Sequence, residues 1–376
     1  MRRVGVTGAS GLLGWHAAVR LHAARAASRY RGDDPDIDVQ LTDRSTFEDP
    51  DALAQFAAAC DVILHFAGVN RGSDDDVATA NDRITARLVD ALERCGGAPT
   101  LVFANSTHAE RDTPYGHAKR RASERFQAWA ASVGARYVDV IIPHVFGEHA
   151  RPLYNNVTAT FIQLVLDGEL PVVNPDGQVE LIHAGAVASA MTDLGLHASP
   201  GRHRLAGVEI GVPALLTRIK EFHDTYEAGV FPDVSDPFAR DLVNAYRVAR
   251  GPSGWSRQLK VSADDRGRLF ETAKGGGGGQ TFVSWTHPGV TRGHHFHLRK
   301  VERFVVIEGD AVIRLRRVLH HEVHEFAVSG NNPQAIDIPT LYTHSIENVG
   351  SGPLVTLFWT HELFDPANPD TYAEQV

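Results

Sequence analysis

The sequence predicts two folds in one chain: an α/β region on a doubly wound parallel sheet, then an all-β region built as a sandwich or small barrel. Three observations carry that reading. Short apolar runs alternate with helix-length segments from residue 1 to about 200. Beyond about residue 260, β-rich runs follow one another with only turn residues between them. A glycine-rich turn also stands directly after the first apolar run, at residues 8–14.

In the first region, strand-like runs fall at 3–7, 39–42, 62–66, 101–104 and 137–142, with helical segments at 12–27, 51–60, 80–95 and 119–133. Strands separated by helices imply right-handed βαβ crossovers, which cover both faces of a parallel sheet. Residues 200–258 mix a helix at 213–226 with loop and close on Arg250-Gly251-Pro252-Ser253-Gly254. That turn-rich stretch marks the expected boundary, giving domains 1–254 and 255–376. In the second region, runs at 281–286, 303–307, 311–317, 323–328 and 354–360 are separated by Gly, Asn, Asp and Pro turns. This is the spacing of an antiparallel sandwich or barrel. The five glycines at 275–279 read as an exposed loop.

The 376 residues suit two or three domains at roughly 100–200 residues each. A composition of 43% hydrophobic and 22% charged residues excludes a wholly disordered or fibrous chain. No apolar run approaches the ~20 residues that cross a bilayer, and no signal-peptide stretch opens the chain. The expectation is a cytoplasmic protein without a membrane partner. Cys60 and Cys95, the two cysteines, read as buried thiols in a reducing compartment. A net charge of −9 without a basic block argues against nucleic acid as a partner.

Gly8-Ala9-Ser10-Gly11-Leu12-Leu13-Gly14 lets a backbone approach a pyrophosphate closely at the start of a helix. His65-Phe66-Ala67-Gly68 ends the third strand, where a parallel sheet offers its ligand crevice. Ser106 and Thr107 end the next strand, and Tyr115 and Lys119 follow, four apart on one helical face. A serine hydroxyl can hold a carbonyl oxygen while the tyrosine passes it a proton and hydride reaches carbon. A nearby ammonium is expected to favour the tyrosine phenolate. After the second strand come Asp43, suited to a ribose hydroxyl, and Arg44, suited to a 2′-phosphate. Arg44 points to NADPH.

With Pro143-His144-Val145-Phe146-Gly147, these motifs make the first 250 residues resemble an extended short-chain dehydrogenase/reductase acting on nucleotide sugars. The resemblance implies a Rossmann domain with Ser106, Tyr115 and Lys119 catalytic and Asn81 in a proton relay. It implies a nucleotide held by Gly8, Ser10, Gly11, Leu12, Leu13, Gly14, Arg44, Phe66, Ala67, Gly68, Tyr115 and Lys119. The strand end Ala104-Asn105-Ser106-Thr107 departs from the serine-rich end more common in that family, and it leaves Ser106 and Thr107 both open.

Residues 289–309 hold Gly289, His295, His297, Glu302 and Gly309 at the spacing of the first cupin motif. His295 and His297 are two apart, so on a strand they share one face. Pro339 to Asn348 fits the second motif, with His344 in place, Leu341 where glycine is usual and Pro333 at the motif's opening glycine. Three imidazoles and a carboxylate (His295, His297, His344 and Glu302) form a metal site by ligand type, open to Zn, Fe, Mn or Ni. The expected fold is thus an all-β cupin, a double-stranded β-helix. Asp265-Arg266-Gly267-Arg268-Leu269-Phe270-Glu271 and Arg292-Gly293-His294-His295-Phe296 also look like segments of metal-free dTDP-4-keto-sugar 3,5-epimerases. That resemblance implies Arg266, Glu271 and Arg292 at the substrate, His295 as base and Tyr342 as candidate acid. A metal-bound imidazole nitrogen cannot also take a proton. The full ligand set favours the metal and leaves the base unassigned.

Over nearly its whole length the chain resembles the bifunctional capsular-polysaccharide enzymes of the CapF type. The match adds Ala67-Gly68-Val69-Asn70-Arg71, Tyr154-Asn155, Ala159-Thr160-Phe161, Phe364-Asp365-Pro366 and Pro369-Asp370-Thr371-Tyr372. The resemblance implies a zinc-bound cupin that epimerises C3 of UDP-2-acetamido-2,6-dideoxy-β-L-arabino-hex-4-ulose. It further implies a reductase domain that converts the C4 ketone with NADPH to the 6-deoxy-L-talose sugar, a UDP-N-acetyl-L-fucosamine precursor. The C3 proton is acidic only while C4 is a ketone, so epimerisation comes first. One alternative is a monofunctional nucleotide-sugar 4-ketoreductase whose cupin is structural or sensory; another is a regulatory binding module on an inactive reductase fold. Exposed cupin edges lead us to expect a homodimer.

Overall fold

The computed structural model describes residues 1–376 except Ala198, Arg266, Gly276 and Gly277, with backbone alone at Tyr30, Gly267, Arg268 and Leu269. Its contacts divide the chain into two compact units, residues 1–160 with 174–212 and residues 161–173 with 213–376.

The first unit contains, in chain order, β1 (Arg2–Thr7), α1 (Leu12–Arg31), β2 (Ile37–Leu41), α2 (Arg44–Glu48), α3 (Pro50–Ala58), β3 (Val62–His65), α4 (Asp74–Arg94), β4 (Thr100–Ser106), α5 (Pro114–Val133), β5 (Tyr137–Ile142), β6 (His144–Phe146), α6 (Val157–Leu166, which runs on into the second unit), β7 (Gln178–His183), α7 (Ala184–His197), β8 (Gly201–Arg204) and β9 (Val208–Gly211). Six strands pair in the order β2-β1-β3-β4-β5-β8, parallel throughout. The order reverses between β1 and β3, so the ligand crevice expected of such a sheet opens beyond their carboxyl ends.

Period-2 alternation sorts the strand residues onto two apolar faces. Val4, Val6, Val62, Leu64, Val102, Val138 and Val140 pack with Leu21 of α1 and Val187 and Met191 of α7. Ile63, Leu101, Phe103 and Tyr137 pack with Leu53 of α3, Leu88 of α4 and Phe126 and Trp129 of α5. Two helices begin earlier than the apolar pattern indicated, because capping sets their starts. Ser73 caps α4 ahead of Asp74, Asp75 and Asp76, whose charges suit the positive helix end. Thr113 accepts from Gly116 N and Pro114 opens α5, so Tyr115 lies in its first turn.

The second unit continues with α8 (Val212–Glu227), α9 (Pro237–Ala249), α10 (Gly251–Trp255), β10 (Ser256–Gln258), β11 (Ser262–Asp264), β12 (Gly267–Leu269), β13 (Gln280–Thr286), β14 (Thr291–Phe296), β15 (Glu302–Glu308), β16 (Asp310–Arg317), β17 (Val323–Ser329), β18 (Gln334–Ile338), β19 (Tyr342–Asn348), β20 (Leu354–Thr360) and β21 (Tyr372–Ala373). Two antiparallel five-stranded sheets, β10-β18-β15-β20-β13 and β17-β16-β19-β14-β21, enclose a core of Phe304, Ile313, Leu315, Ile336, Ile346 and Phe358.

The contacts divide the chain at 212–213, whereas the turn-rich stretch led us to expect a boundary at 254. The helices before 254 are committed to the β-sandwich by buried polar contacts as well as apolar ones. Trp255 lies in the sandwich core and donates to Arg247 O at 2.8 Å. Arg247 of α9 in turn donates to Ile338 O at 2.8 Å. Tyr226 of α8 donates to Asp337, which is also held bidentately by Arg303 at 2.7 and 2.9 Å. Turn-rich composition marked a joint between elements, not between folding units. No helix among the described residues is long and apolar enough to cross a membrane.

Candidate active sites

At the β1/β3 crevice the glycine turn is sterically determined. Gly8 has φ +70°, and a Cβ on Gly14 would stand 2.1 Å from Gly8 O. Gly11 is the N-cap of α1 and makes no side-chain cap bond, so the helix start presents bare N–H groups, as an anionic ligand requires. Ser10 is exposed, and Leu12 and Leu13 are half-buried on the first turn. The turn packs on the loop after β3: a Cβ on Gly8 would lie 2.8 Å from Ala67 N and 3.1 Å from the Phe66 carbonyl carbon. Thr7 Oγ1 ties the two together, accepting from Phe66 N at 3.2 Å and Ala67 N at 3.3 Å. Its hydroxyl proton then goes to His65 Nδ1 at 2.7 Å. His65 is buried, and burial pushes it down to about 3, with Lys119 acting the same way. Sequence reasoning saw His65 as a strand-end residue and missed this bracing role.

Asp43 caps α2 through Oδ1, which accepts from Ser45 Oγ, Thr46 N and Thr46 Oγ1. These bonds hold its carboxyl down at about 2. Arg44, beside it, is exposed.

The structure brings Ser106, Tyr115 and Lys119 to one end of the sheet. Ser106 ends β4, and its Oγ accepts from His108 N at 3.1 Å, leaving the hydroxyl proton available to a ligand. Lys119, one turn after Tyr115 and only 8% exposed, donates to Ala104 O at 2.7 Å. Its Nζ stands 4.6 Å from the Phe103 ring and 5.9 Å from the Tyr115 ring. Burial pushes Lys119 down to about 8, opposed by the charge of Asp139. Burial pushes Tyr115 up to about 12, against the direction in which a nearby ammonium was expected to move it, so the phenol form is favoured near neutrality. That is the form able to protonate a ketone oxygen. Asn81 is buried and spends its amide on Val69 O, Val77 O and Val69 N at 2.6, 2.8 and 3.1 Å. A Cβ on Gly68 would meet Asn81 Oδ1 at 3.1 Å and Lys119 Nζ at 4.0 Å, so Asn81 shapes the loop beside the lysine. His108, 6.0 Å from the Tyr115 ring and 5.5 Å from the His144 ring, borders the same end and was not singled out from sequence.

In the second unit His295, His297, Glu302 and His344 converge, with donor atoms all within 4.8 Å of one another. Glu302 Oε2 lies 2.9 Å from His297 Nε2 and 3.5 Å from His344 Nε2. A β-bulge between Gly293 and His295, with His294 in the left-handed region, brings His295 opposite His344. His297 Nδ1 donates to Asp370 O at 2.5 Å, which turns Nε2 toward Glu302; burial lowers His297, but the Glu302 carboxylate and Asp370 outweigh it and raise it, so a metal ion at Nε2 would take the place of the proton shared with Glu302. The Asp370 carboxylate meanwhile accepts from Leu298, Arg299 and Lys300 N at 3.1, 2.9 and 2.8 Å. Leu341, buried at φ +65°, holds the left-handed conformation that favours glycine at this motif position. Its N–H donates to His297 O at 2.8 Å.

These residues fit a divalent metal. His344 Nε2 is buried and has no hydrogen-bond partner among the described residues, an orphan that a cation would satisfy. Burial pushes His295 down to about 4 and lowers His344 well below the ordinary imidazole value, so both offer lone pairs near neutrality. Burial alone would raise Glu302, but His297 and the other imidazoles hold it down, as an ionised ligand must be. Of the other implied contacts, Arg292 donates to Thr286 Oγ1 at 2.9 Å, Glu271 is exposed and pairs with Lys274, and Arg266 lies outside the described residues. Tyr342 is buried against Trp255 in the core, and burial pushes it up to about 12.

A second group of the same donor types lies in the first unit: His16, Glu148 and His183, all buried. Here the nitrogens are engaged. His16 Nε2 donates to Glu148 O at 3.1 Å, Arg20 donates to His16 Nδ1 at 3.4 Å, and His183 Nε2 pairs with Glu148 Oε2 at 2.8 Å.

A parallel sheet with a glycine turn at its switch point and a Ser–Tyr–Lys set at one end defines a dinucleotide-binding oxidoreductase of the short-chain type, here fused to an antiparallel β-domain. The NAD dependent epimerase/dehydratase family matches residues 4–206, and a polysaccharide biosynthesis C-terminal domain matches residues 262–372. The chain belongs to the NAD dependent epimerase/dehydratase family, in the CapF-type arrangement with that C-terminal domain. It is 30% identical over 329 residues, 86% of this chain and 88% of the relative, to the UDP-2-acetamido-2,6-beta-L-arabino-hexul-4-ose reductase of Pseudomonas aeruginosa. The capsular polysaccharide assembling protein CapF of Staphylococcus aureus covers both chains completely at 29% identity, with a TM-score of 0.59. A probable low-salt glycan biosynthesis epimerase, Agl13 of Haloferax volcanii, is 29% identical over 126 residues, 30% of this chain and 81% of the relative.

Proposed function

We propose that the chain is a bifunctional nucleotide-sugar enzyme. The β-sandwich epimerises C3 of UDP-2-acetamido-2,6-dideoxy-β-L-arabino-hex-4-ulose, and the parallel-sheet unit then reduces the C4 ketone with NADPH to the UDP-2-acetamido-6-deoxy-L-talose sugar. The observation that carries the reductase half is the buried Lys119, 5.9 Å from the Tyr115 ring and bonded to Ala104 O of the strand that presents Ser106. Ser106 donates to the ketone oxygen, Tyr115 gives it a proton, and Lys119 orients the cofactor ribose and the phenol. NADPH supplies the hydride. The committed cap carboxylate of Asp43 beside an exposed Arg44 supports a 2′-phosphate there over a bare ribose.

For the epimerase half, His295, His297, Glu302 and His344 would hold one divalent ion, zinc by donor set. Such an ion supplies Lewis-acid polarisation of a carbonyl. A homodimer is supported by β13, a sheet-edge strand exposing Phe282, Val283 and Trp285. A nucleotide sugar and NADPH as substrates support a cytoplasmic location.

Proton NMR of the UDP-4-ketosugar in D2O, first without NADPH and then with it, tests the whole reading. Deuterium entering C3 before cofactor is added, followed by NADPH oxidation, is the expected result. The second reading, a monofunctional 4-ketoreductase with a structural or sensory β-domain, is favoured by the Pseudomonas relative, which is named as a reductase alone. It requires NADPH consumption with no exchange at C3.

A further inference from the structure

The strand end Ala104-Asn105-Ser106 has a physical counterpart in β5. Asp139 sits mid-strand, 3% exposed, with Phe103 and Tyr137 of the same sheet face packed under α5. Its Oδ1 accepts from Asn105 Nδ2 at 2.8 Å, and its Oδ2 accepts from Ser123 Oγ of α5 at 3.1 Å and Arg202 Nε of β8 at 2.9 Å. Tyr137 OH donates to the same Ser123 Oγ at 2.9 Å. Asn105 passes the restraint on: its Oδ1 accepts from Ser106 N at 2.8 Å. A buried carboxylate is costly unless several donors meet it, and here all the donors come from the elements that carry the reducing site or flank it.

We infer that Asp139 is a positioning residue for carbonyl reduction, fixing the backbone of Ser106 through Asn105 and the helix of Tyr115 and Lys119 through Ser123. The inference rests on the reductase reading above. The bond to Asn105 engages the Ser106 N–H at the very end of β4, so the serine is held through its own backbone on one side and by His108 N on the other. The charge also reaches Lys119. Among the groups facing that ammonium (Asp139 from β5, His65 from β3, Tyr115 on its own helix, the Phe103 ring and Ala104 carbonyl from β4), Asp139 is the anion that opposes the effect of burial. Serine at position 105 could not span to Asp139 and back to Ser106 with separate donor and acceptor atoms, as an amide does.

Two variants and two readouts test this. Asp139→Asn keeps the size and removes the charge; Asn105→Ala leaves Asp139 with Ser123 and Arg202 and cuts only the link to Ser106. The NADPH-dependent reduction of UDP-2-acetamido-2,6-dideoxy-β-L-arabino-hex-4-ulose is expected to lose about 100-fold in kcat in both, with KM for NADPH unchanged, as small displacements of reacting groups do. Independently, 13C-lysine labelling reads the titration of Lys119, tractable in a chain with five lysines and assigned by Lys119→Arg. Asp139→Asn is expected to move that titration to lower pH, and Asn105→Ala to leave it in place. Wild-type kcat in a folded Asn105→Ala overturns the positioning role, as does an unmoved Lys119 titration in Asp139→Asn. If the natural chain oxidises no NADPH with this substrate, the reductase reading falls and the lysine titration alone decides for or against Asp139. Should Asp139→Asn fail to fold, the kcat of Asn105→Ala still decides the positioning role.

Discussion

The two histidine–glutamate clusters share a buried imidazole–carboxylate pair and differ in the histidines beside it. In the β-sandwich, His297 pairs with Glu302 at 2.9 Å as His183 does with Glu148 at 2.8 Å, but His344 Nε2 is buried without a hydrogen-bond partner among the described residues. In the parallel-sheet unit, both nitrogens of His16 are occupied, one by a backbone carbonyl and one by the Arg20 guanidinium, whose charge also disfavours a cation nearby. Donor type and proximity are therefore not enough to define a metal site. The lone pairs must be left over after the protein has satisfied itself.

The largest expected effect separates the clusters outright. Elemental analysis of the purified chain should find one divalent ion per chain, absent from His344→Ala and retained in His183→Ala. Retention in the first or loss in the second would reverse the assignment. The same His183→Ala change should then cost stability instead, by about 3–5 kcal/mol, because it removes the Nε2 that meets the buried Glu148 carboxylate at 2.8 Å. A urea midpoint close to wild type would show that Glu148 is held by other contacts. Next in size, Asp370→Ala frees three backbone N–H groups and with them the carbonyl that orients His297. Metal affinity should fall about 10–100-fold in a chelator competition, the usual cost of losing an outer partner of a ligand.

The smallest effect is in pH. His16 is pushed down to about 3 in the fold, by burial first, against an ordinary value of 6.5. Its contribution is complete above pH 6.5 and is lost as pH falls from there toward 3, since the unfolded chain binds the extra proton. Replacing His16 with Gln should flatten the pH dependence of stability across that window. An unchanged slope would assign the acid sensitivity to His65, which is shifted the same way and also buried.

What was legible in the sequence follows from how local each signal is. The glycine turn, the Tyr115/Lys119 pair and the His295/His297/Glu302 spacing lie within single loops, helices or strand pairs, so a short window of sequence holds each of them. Asp370 is separated from His297 by the whole sandwich, and Asp139 from Asn105 by a crossover helix, so no window of sequence joins them. The start of α5 was written in Thr113-Pro114 but outweighed by the apolar period that begins later. Leu341 was legible as a departure from glycine, yet its left-handed backbone was not, because burial and two backbone bonds hold a residue there that propensity would reject. The division at 212 was hidden because α9 and α10 bind the sandwich through Arg247 and Trp255, side chains whose polarity gives no hint of their destination.

The Asp370 brace also has a consequence in time. During synthesis His295, His297, Glu302 and His344 all emerge from the ribosome before Asp370 does, so the four proposed ligands exist for an interval without the group that turns His297. On the proposed metal-binding reading, high-affinity capture is a late event for this domain. A nascent chain stalled short of residue 370 is then expected to bind an ion more loosely than the chain that includes Asp370.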